Sequence, residues 1–291
     1  MMMQNLLLAL GDALWLRLRA TRQGERRAAT DGAGVQARAV VPLHERGDVF
    51  WPEFDTLAHS FWRAQEVTLF RRHAALVQGP VLDLGCGDGV FGQLAGWPSD
   101  LTGLDYDEES LRARALVCPG AVSVRADAGR MPLPDAAFAT CVSNSVFEHL
   151  PDLDACLREA HRVLRPDGRL VFTMTLGIFS RQLRALTGAG DARAWLERFG
   201  HRQEPDEADL LRRTAVAGFK IEESLSYQPQ RFTARYRWLV SPIFQFIERR
   251  RAFAWREQWR ARLVPEVSAS LADTTAGTGA CVFVVARKAV E

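Results

Sequence analysis

The chain has 291 residues, of which 37 are lysine or arginine, 35 are aspartate or glutamate, and 47% are hydrophobic. This length corresponds to one large domain or to a domain with a smaller cap. The composition excludes a wholly disordered chain, a collagen and a disulfide-stabilised miniprotein. The five cysteines form no C-x-x-C pair, and no apolar run reaches the roughly 18–20 residues that span a bilayer. We therefore expect a cytoplasmic protein with reduced thiols.

The first 60 residues differ in composition from the rest of the chain. Leu7, Leu10, Leu14 and Leu18 recur at helical spacing, which predicts an amphipathic helix. A signal peptide fits less well, because no basic segment precedes the apolar run. The stretch that follows is rich in Arg, Ala, Gly and Thr and has no period. We expect residues 1–60 to form an amphipathic and mobile extension.

A helical pattern runs from Trp51 to Gln78, and strands and helices then alternate. This alternation predicts an α/β fold with a mostly parallel sheet. The predicted strands are Val81–Leu84, Leu101–Asp105, Val122–Ala126, Ala139–Ser143, Leu170–Thr175, Phe219–Tyr227 and Cys281–Ala286. The predicted helices between them are Phe91–Gly96, Glu108–Val117, Leu153–Leu164 and Asp206–Ala217.

The sharpest local motif is a buried strand that runs into the glycine-rich turn 85–89. Glycines let a ligand approach the backbone closely, and the helix that follows such a turn offers free N–H groups. A second strand ends at Asp105, twenty residues after Gly85. A carboxylate at that place can accept both hydroxyls of a ribose. The motif therefore predicts a nucleoside-containing cofactor.

Two cofactors fit this motif at the level of the residues alone. The stretch Gly87–Gly92 matches the G-x-G-x-x-G pattern of NAD sites. However, Asp83 lies at the end of the strand before the turn. A carboxylate there suits a cationic amino group, whereas an NAD site presents N–H groups to a pyrophosphate. NAD is therefore the second choice.

Five motifs between Pro80 and Thr175 resemble, in order, those of class I S-adenosylmethionine-dependent methyltransferases, especially the small-molecule subgroup. They are 83–89, Asp105 with Tyr106, 125–128, 131–138 and 164–170. The resemblance implies S-adenosyl-L-methionine as cofactor and a Rossmann-like, doubly wound, mostly parallel seven-stranded sheet whose last strand is antiparallel. N-terminal helices and a helical insertion before the last strand would be added to it. The methyltransferase domain would take in residues 61–227 and 280–291.

The same resemblance assigns roles to individual residues. Asp105 would bind the ribose, Tyr106 would offer a surface to the adenine ring, and Asp127 would contact the adenine. The full set expected to bind the cofactor is Asp83, Gly85, Cys86, Gly87, Asp105, Tyr106, Asp127, Ala128 and Ser143.

Candidate catalytic residues lie after the fourth predicted strand, where open α/β folds bind ligands. His149 could take a proton from an acceptor hydroxyl, and Glu148 could orient its ring. The Glu-His pair resembles one in quinone-type O-methyltransferases, which have an additional acid three residues before the Glu. Ser145 stands at that position here, so we expect no metal. Packing of this pair within the loop is the alternative.

Residues 228–279 form a basic and aromatic insertion that we expect to be helical. Between positions 231 and 262 there are nine arginines, two glutamates and eight aromatic residues. The segment could be a lid over the substrate, a contact for an anionic membrane or a lipid-linked substrate, or a nucleic-acid surface. The lid ranks first and nucleic acid last.

Taken together, these patterns predict a methyltransferase that transfers a methyl group to oxygen or nitrogen of a small molecule. The acceptor would be a secondary-metabolite or lipid-linked intermediate, and the protein could be peripheral to a membrane. A non-catalytic cofactor-binding scaffold is the alternative, and an NAD-dependent oxidoreductase ranks below it.

Overall fold

The computed structural model describes residues 56–250, 253–272 and 278–289. The described chain builds one seven-stranded sheet in the order β3-β2-β1-β4-β5-β7-β6. The strands are β1 Val81–Leu84, β2 Thr102–Asp105, β3 Ser123–Arg125, β4 Phe138–Asn144, β5 Leu164–Thr175, β6 Phe219–Tyr227 and β7 Cys281–Lys288. The expected extension 1–60 lies almost wholly outside the described residues.

Helices cover both faces of the sheet, as the crossover connections of parallel strands require. They are α1 Leu57–Arg72, α2 Val90–Ala95, α3 Glu108–Val117, α4 Leu153–Val163, α5 Gly177–Thr187, α6 Ala189–Phe199, α7 Glu207–Val216, α8 Gln230–Leu239, α9 Pro242–Arg249 and α10 Phe253–Ala272. Helices α8, α9 and α10 lie between β6 and β7, which confirms the helical insertion before the last strand.

The sheet is parallel from β3 to β5 and antiparallel at β7. Leu82 of β1 pairs in parallel with Thr102 on one side and Cys141 on the other. In contrast, β7 is antiparallel to both β5 and β6. The predicted Rossmann-like fold is therefore confirmed, including the antiparallel last strand. The strand order reverses between β1 and β4, and such a switch point opens a crevice at the carboxyl ends of the strands.

Two parts of the local prediction were incomplete. No helices were predicted between residues 176 and 205, where α5 and α6 lie. The fifth strand was predicted to begin at Leu170, but β5 already begins at Leu164, which pairs with Phe138. Asp167 there has a φ of 60°, and the pairing register between β4 and β5 shifts between Phe138 and Thr140, so a turn forms an irregularity inside the strand.

Helix α1 connects the sheet with the helices that follow β6. Thr56 caps its start by accepting a hydrogen bond from the His59 N–H. Phe61 stacks on Phe232 of α8 with the ring centroids 4.0 Å apart. On α10, the Ser270 hydroxyl donates to the buried Gln65 side chain at 2.7 Å. Helices α8 and α10 therefore pack on α1 as part of the main body.

Residues 240–250 group apart from the rest of the described chain. This short unit contains α9, which Ser241 caps by accepting a hydrogen bond from the Phe244 N–H. Ile243, Phe246 and Ile247 of this helix are exposed. None of the helices in the described ranges is both long and apolar enough to cross a membrane.

Candidate active site

The glycine turn after β1 lies at the carboxyl end of the sheet. The N–H groups of Gly85 and Cys86 both donate to the Leu104 carbonyl, at 2.7 and 3.1 Å. Gly85 has a φ of 76°, and a Cβ at this position would lie 2.2 Å from a Val146 methyl carbon. In contrast, a Cβ at Gly87 would meet no atom within 4 Å. The turn is thus closely packed at its first glycine and open at its second.

Asp105 joins this turn to the end of β2. One of its carboxylate oxygens accepts from the Gly87 N–H at 2.8 Å, and the other accepts from the Asp107 N–H at 2.9 Å. Each oxygen keeps a further lone pair. The residue is half-buried at the edge of the sheet. The carboxylate is therefore held in one orientation and can still accept two hydroxyl groups.

The other expected contacts to the cofactor base lie on the next two connections. The Tyr106 side chain is 76% exposed, so its ring is available as a stacking surface. Asp127 is exposed, and one of its oxygens accepts from the Gly129 N–H at 2.8 Å. Ala128 beside it is buried. These positions are compatible with a base-binding role.

Asp83 is buried beneath the turn, where it faces an arginine that sequence reasoning missed. Arg114 of α3 is 2% exposed, and its Nη1 lies 3.9 Å from an Asp83 carboxylate oxygen. Burial raises the pKa of Asp83 to about 7, although the positive charge of Arg114 opposes this. A Cβ at Gly103 would lie 2.5 Å from the Arg114 Nε. The absence of a side chain at 103 therefore makes room for this guanidinium.

Two further residues expected at the cofactor have their polar atoms directed at the protein itself. Ser143 is fully buried, and its hydroxyl donates to the Leu84 carbonyl at 2.9 Å. This bond holds the end of β1 against β4. The Cys86 side chain is buried, and a Cβ at Gly103 would lie 2.8 Å from its sulfur. Burial raises the pKa of the Cys86 thiol, so the thiol stays protonated.

A cavity of about 230 Å³ opens beside the turn that follows β4. That turn touches the glycine turn, because Val146 is the residue packed against Gly85. Aromatic and polar side chains from five parts of the chain line the cavity. They are His59, Trp62, Arg63, Ser145, Glu148, His149, Thr175, Phe179, Phe199, His201 and Tyr236. Of these, sequence reasoning had selected only Glu148 and His149 as catalytic candidates.

A buried carboxylate on α1 supports the wall of this cavity. Glu66 is fully buried and accepts from the Trp62 indole at 3.0 Å and from the Arg63 guanidinium at 2.7 Å. It also accepts from the Asn144 amide at 3.1 Å and from the Ser145 hydroxyl at 2.5 Å. The carboxylate therefore ties α1 to the end of β4. The only sequence feature that could have indicated this role of Glu66 was the Trp-Arg-x-x-Glu spacing within one helix.

Glu148 and His149 lie together in a short 3-10 turn, Phe147–His149. Glu148 is 1% exposed, and one of its oxygens accepts from the Thr175 hydroxyl at 3.0 Å. Burial raises the pKa of its carboxyl. His149 is exposed, and its Nδ1 lies 3.2 Å from the Gly200 carbonyl. Because a carbonyl only accepts, Nδ1 carries the proton, and the neutral ring has its lone pair on Nε2.

His201, which the sequence did not indicate, stands beside this pair. Its ring centroid lies 5.2 Å from that of His149. Burial lowers the pKa of His201 to about 4, and a positive charge on His149, present only when that ring is protonated, lowers it further. The sequence offered no signal here, since 52 residues separate the two histidines.

The turn and its carboxylates fit a cofactor with a ribose and a cationic head better than one with a pyrophosphate. Gly87 leaves open space, and Asp105 has free lone pairs for hydroxyl groups. At the start of α2 the Asp88 carboxylate accepts from the Val90 N–H at 3.1 Å. A negative charge already occupies that helix start, where a pyrophosphate would need to bind.

Comparison with known proteins gives several methyltransferases. A family model described as a methyltransferase domain matches residues 82–172. A probable S-adenosylmethionine-dependent methyltransferase of Mycolicibacterium smegmatis is 32% identical over 171 residues, which is 56% of this chain and 63% of that protein. The ubiquinone biosynthesis O-methyltransferase of Chromobacterium violaceum is 26% identical, over 61% of this chain and 86% of that protein. The chain thus spans less than two thirds of the length of the first of these relatives.

A solved structure gives the same fold. It is an S-adenosylmethionine-dependent methyltransferase from Mesorhizobium loti, with a TM-score of 0.52 and 23% identity, and the match covers 78% of this chain and 99% of that one. The family match to residues 82–172 includes the glycine turn, Asp105 and the turn with Glu148 and His149. Residues 82–172 therefore match a methyltransferase domain, and the relatives named above include a probable S-adenosylmethionine-dependent methyltransferase.

Proposed function

We propose that this protein transfers a methyl group to an oxygen or nitrogen of a small molecule bound in the cavity beside β4. The observation that carries the proposal is the contact between the two turns. Val146 packs against Gly85 of the glycine turn, and Ser145, Glu148 and His149 around it line the cavity. An acceptor in the cavity would therefore lie next to the cofactor.

In this proposal the glycine turn and Asp105 hold the cofactor. The sulfonium of S-adenosylmethionine supplies an activated methyl group. Asp105 binds the ribose hydroxyls, and Tyr106 and Asp127 contact the adenine. Asp83, beneath the turn, supplies a negative charge that compensates the positive charge of the cofactor. Gly85 and Gly87 form the surface on which the cofactor lies, and the buried Cys86, Ala128 and Ser143 support that surface from within the protein.

The chain's own contribution to methyl transfer is to position the acceptor and to exclude water. Trp62, Phe179, Phe199 and Tyr236 give the cavity an aromatic wall, and such a wall suits a flat or apolar acceptor. The reacting group of the acceptor then faces the polar side, where His149 and Glu148 lie. The lone pair on Nε2 of His149 accepts the proton that this hydroxyl or amine loses when it is methylated.

The cofactor part of this proposal can be tested by calorimetry with S-adenosylhomocysteine, the demethylated product. We expect saturable binding at one site per chain. NADH serves as the competing probe, because the same turn also matches an NAD pattern. Binding of NADH together with no binding of S-adenosylhomocysteine would overturn the proposal.

We further propose that the acceptor is a secondary-metabolite or lipid-linked intermediate and that α9 contacts an anionic membrane. The support is the exposed face of this helix. Ile243, Phe246 and Ile247 are 73%, 52% and 39% exposed, and the exposed Arg250 guanidinium lies 4.1 Å from the Phe246 ring centroid. Apolar and arginine side chains on one face are typical of helices that lie on anionic lipid.

A further inference from the structure

Three potential metal ligands converge on one side of the cavity. Glu148, His149 and His201 each line it. Each offers one ligand atom, and these atoms all lie within 4.8 Å of one another. Two of the residues are adjacent in the turn after β4, and the third comes from the segment after α6. The fold therefore brings these three side chains together from two separate segments of the chain.

Hydrogen bonds hold the two segments together. The N–H groups of Arg202 and Gln203 donate to the Glu148 carbonyl at 2.7 and 3.1 Å. The His149 Nδ1 donates to the Gly200 carbonyl at 3.2 Å. In metal sites a ligating histidine typically donates its other ring N–H to such an oxygen, which fixes the ring and leaves the second nitrogen for the metal. The His149 ring has this arrangement without any ion.

One oxygen of the Glu148 carboxylate is buried without a hydrogen-bond partner among the described residues, which is energetically unfavourable. The Thr175 hydroxyl donates to Oε1 at 3.0 Å, while Oε2 is buried and has no hydrogen-bond partner among the described residues. Arg63, the arginine in the cavity wall, forms its ion pair with Glu66 instead. A buried polar atom left without a partner destabilises the fold, and more so when it is charged. A cation next to Oε2 would offset this destabilisation.

We propose that Glu148, His149 and His201 bind a divalent transition-metal cation of the Zn²⁺ type. Two imidazoles and one carboxylate suit Zn²⁺ and Co²⁺, whereas Mg²⁺ takes oxygen ligands. Three protein ligands leave a position open for a further oxygen or nitrogen, as in catalytic rather than structural sites. All three residues line the cavity, so a cation held by them would lower the pKa of an acceptor hydroxyl bound there. Because Nε2 of His149 would then be a ligand, the cation would take over the proton-removing role that the proposed function gives to that nitrogen.

The catalytic role of the cation rests on the proposed function, whereas cation binding by these three residues does not depend on it. The proposed site also revises the expectation that no metal binds, which was drawn from Ser145 at the position where quinone-type O-methyltransferases have an additional acid. The Ser145 hydroxyl is bonded to Glu66, and the third ligand is supplied by His201, from a different part of the chain.

The test is a titration of the full chain, carrying no polyhistidine tag, with Co²⁺ followed by visible absorption and with Zn²⁺ by calorimetry. We expect one cation per chain, displacement of Co²⁺ by Zn²⁺, and no comparable binding of Mg²⁺. His201→Ala should weaken binding about 100-fold, and Thr175→Val, which frees the carboxylate, about tenfold. His161→Ala, a histidine of α4 outside the cluster, is the matched control and should bind as the unaltered protein does.

Two results would overturn the site: no cation-dependent absorption, or equal affinity in His201→Ala and His161→Ala. Binding of S-adenosylhomocysteine, measured on the same variants, separates this outcome from failure of the proposed function. His201→Ala should still bind S-adenosylhomocysteine, and Asp105→Asn should still bind Co²⁺. Loss of cation binding alone therefore counts only against the metal site.

Discussion

The cofactor edge, meaning the glycine turn with Asp83 and Asp105, and the cavity beside it are built in different ways. The cofactor edge takes its main features from residues 83–107 and relies on backbone N–H groups, glycine conformations and two carboxylates. The cavity takes side chains from His59 to Tyr236 and has no backbone motif of its own. Under the proposed function, a local turn would hold the cofactor, whereas the choice of acceptor would depend on long-range packing.

The largest expected effect is at Gly85, where the two regions touch. Gly85→Ala places a Cβ 2.2 Å from Val146 in a backbone with a φ of 76°. We expect a loss of about 3 kcal/mol or more in the free energy of unfolding, from overpacking and backbone strain. Urea denaturation measures it.

The control for this change is the double variant Gly85→Ala with Val146→Ala. Removal of the methyl groups that clash should recover about 1 kcal/mol or more of the loss. The same loss in the single and double variants would mean that the contact between the turns carries no strain.

The second-largest expected effect distinguishes the cavity from the cofactor edge. Glu66→Gln replaces the carboxylate that accepts four hydrogen bonds beneath the cavity wall, and we expect a loss of about 2–3 kcal/mol in unfolding free energy. Binding of S-adenosylhomocysteine should stay within about twofold, because the cofactor edge does not use Glu66. Glu197→Gln on α6, an exposed glutamate paired with Arg193, is the control and should cost about 0.5 kcal/mol or less. A large fall in cofactor affinity would show that the two regions are coupled.

Asp105→Asn affects the cofactor edge alone. An amide cannot accept both N–H groups and two hydroxyls, so we expect binding of S-adenosylhomocysteine to weaken about 10- to 30-fold, the equivalent of one charge-assisted hydrogen bond. Calorimetry measures this change. Asp100→Asn, an exposed carboxylate before β2, should bind normally. Unchanged affinity in Asp105→Asn would remove Asp105 from the cofactor site.

The smallest effect concerns α9, which belongs to neither region. Arg250→Gln should reduce binding to phosphatidylglycerol-containing vesicles about fivefold, since one arginine near an anionic surface contributes about 1 kcal/mol. Binding to purely phosphatidylcholine vesicles should not change. Arg193→Gln, on the exposed surface of α6, is the control in a flotation assay. Equal binding of both variants to the anionic vesicles would argue against α9 as the contact.

The prediction of elements succeeded where a pattern was local and failed where packing decided. The strands Val81–Leu84 and Phe219–Tyr227 and the helix Glu108–Val117 were predicted to the residue. Their buried runs, acidic first turn and flanking turn residues are all nearby in the chain. Helices α5 and α6 were missed, because their apolar faces are completed by residues elsewhere, such as Trp62, which contacts Phe179 edge-on at 5.5 Å.

The sequence by itself determined the sheet, the glycine turn and the place of Asp105, because these depend on glycine conformation, strand periodicity and short spacings. It also indicated that Glu148 and His149 follow the carboxyl end of β4, where the structure has them. Only the tertiary structure placed Arg114 beneath the turn, Glu66 behind the cavity wall and His201 beside His149. Each of these three residues is at least 31 positions away in the sequence from the partner named here. The periodicity of a sequence does not indicate which distant side chains are brought together when helices pack on a sheet.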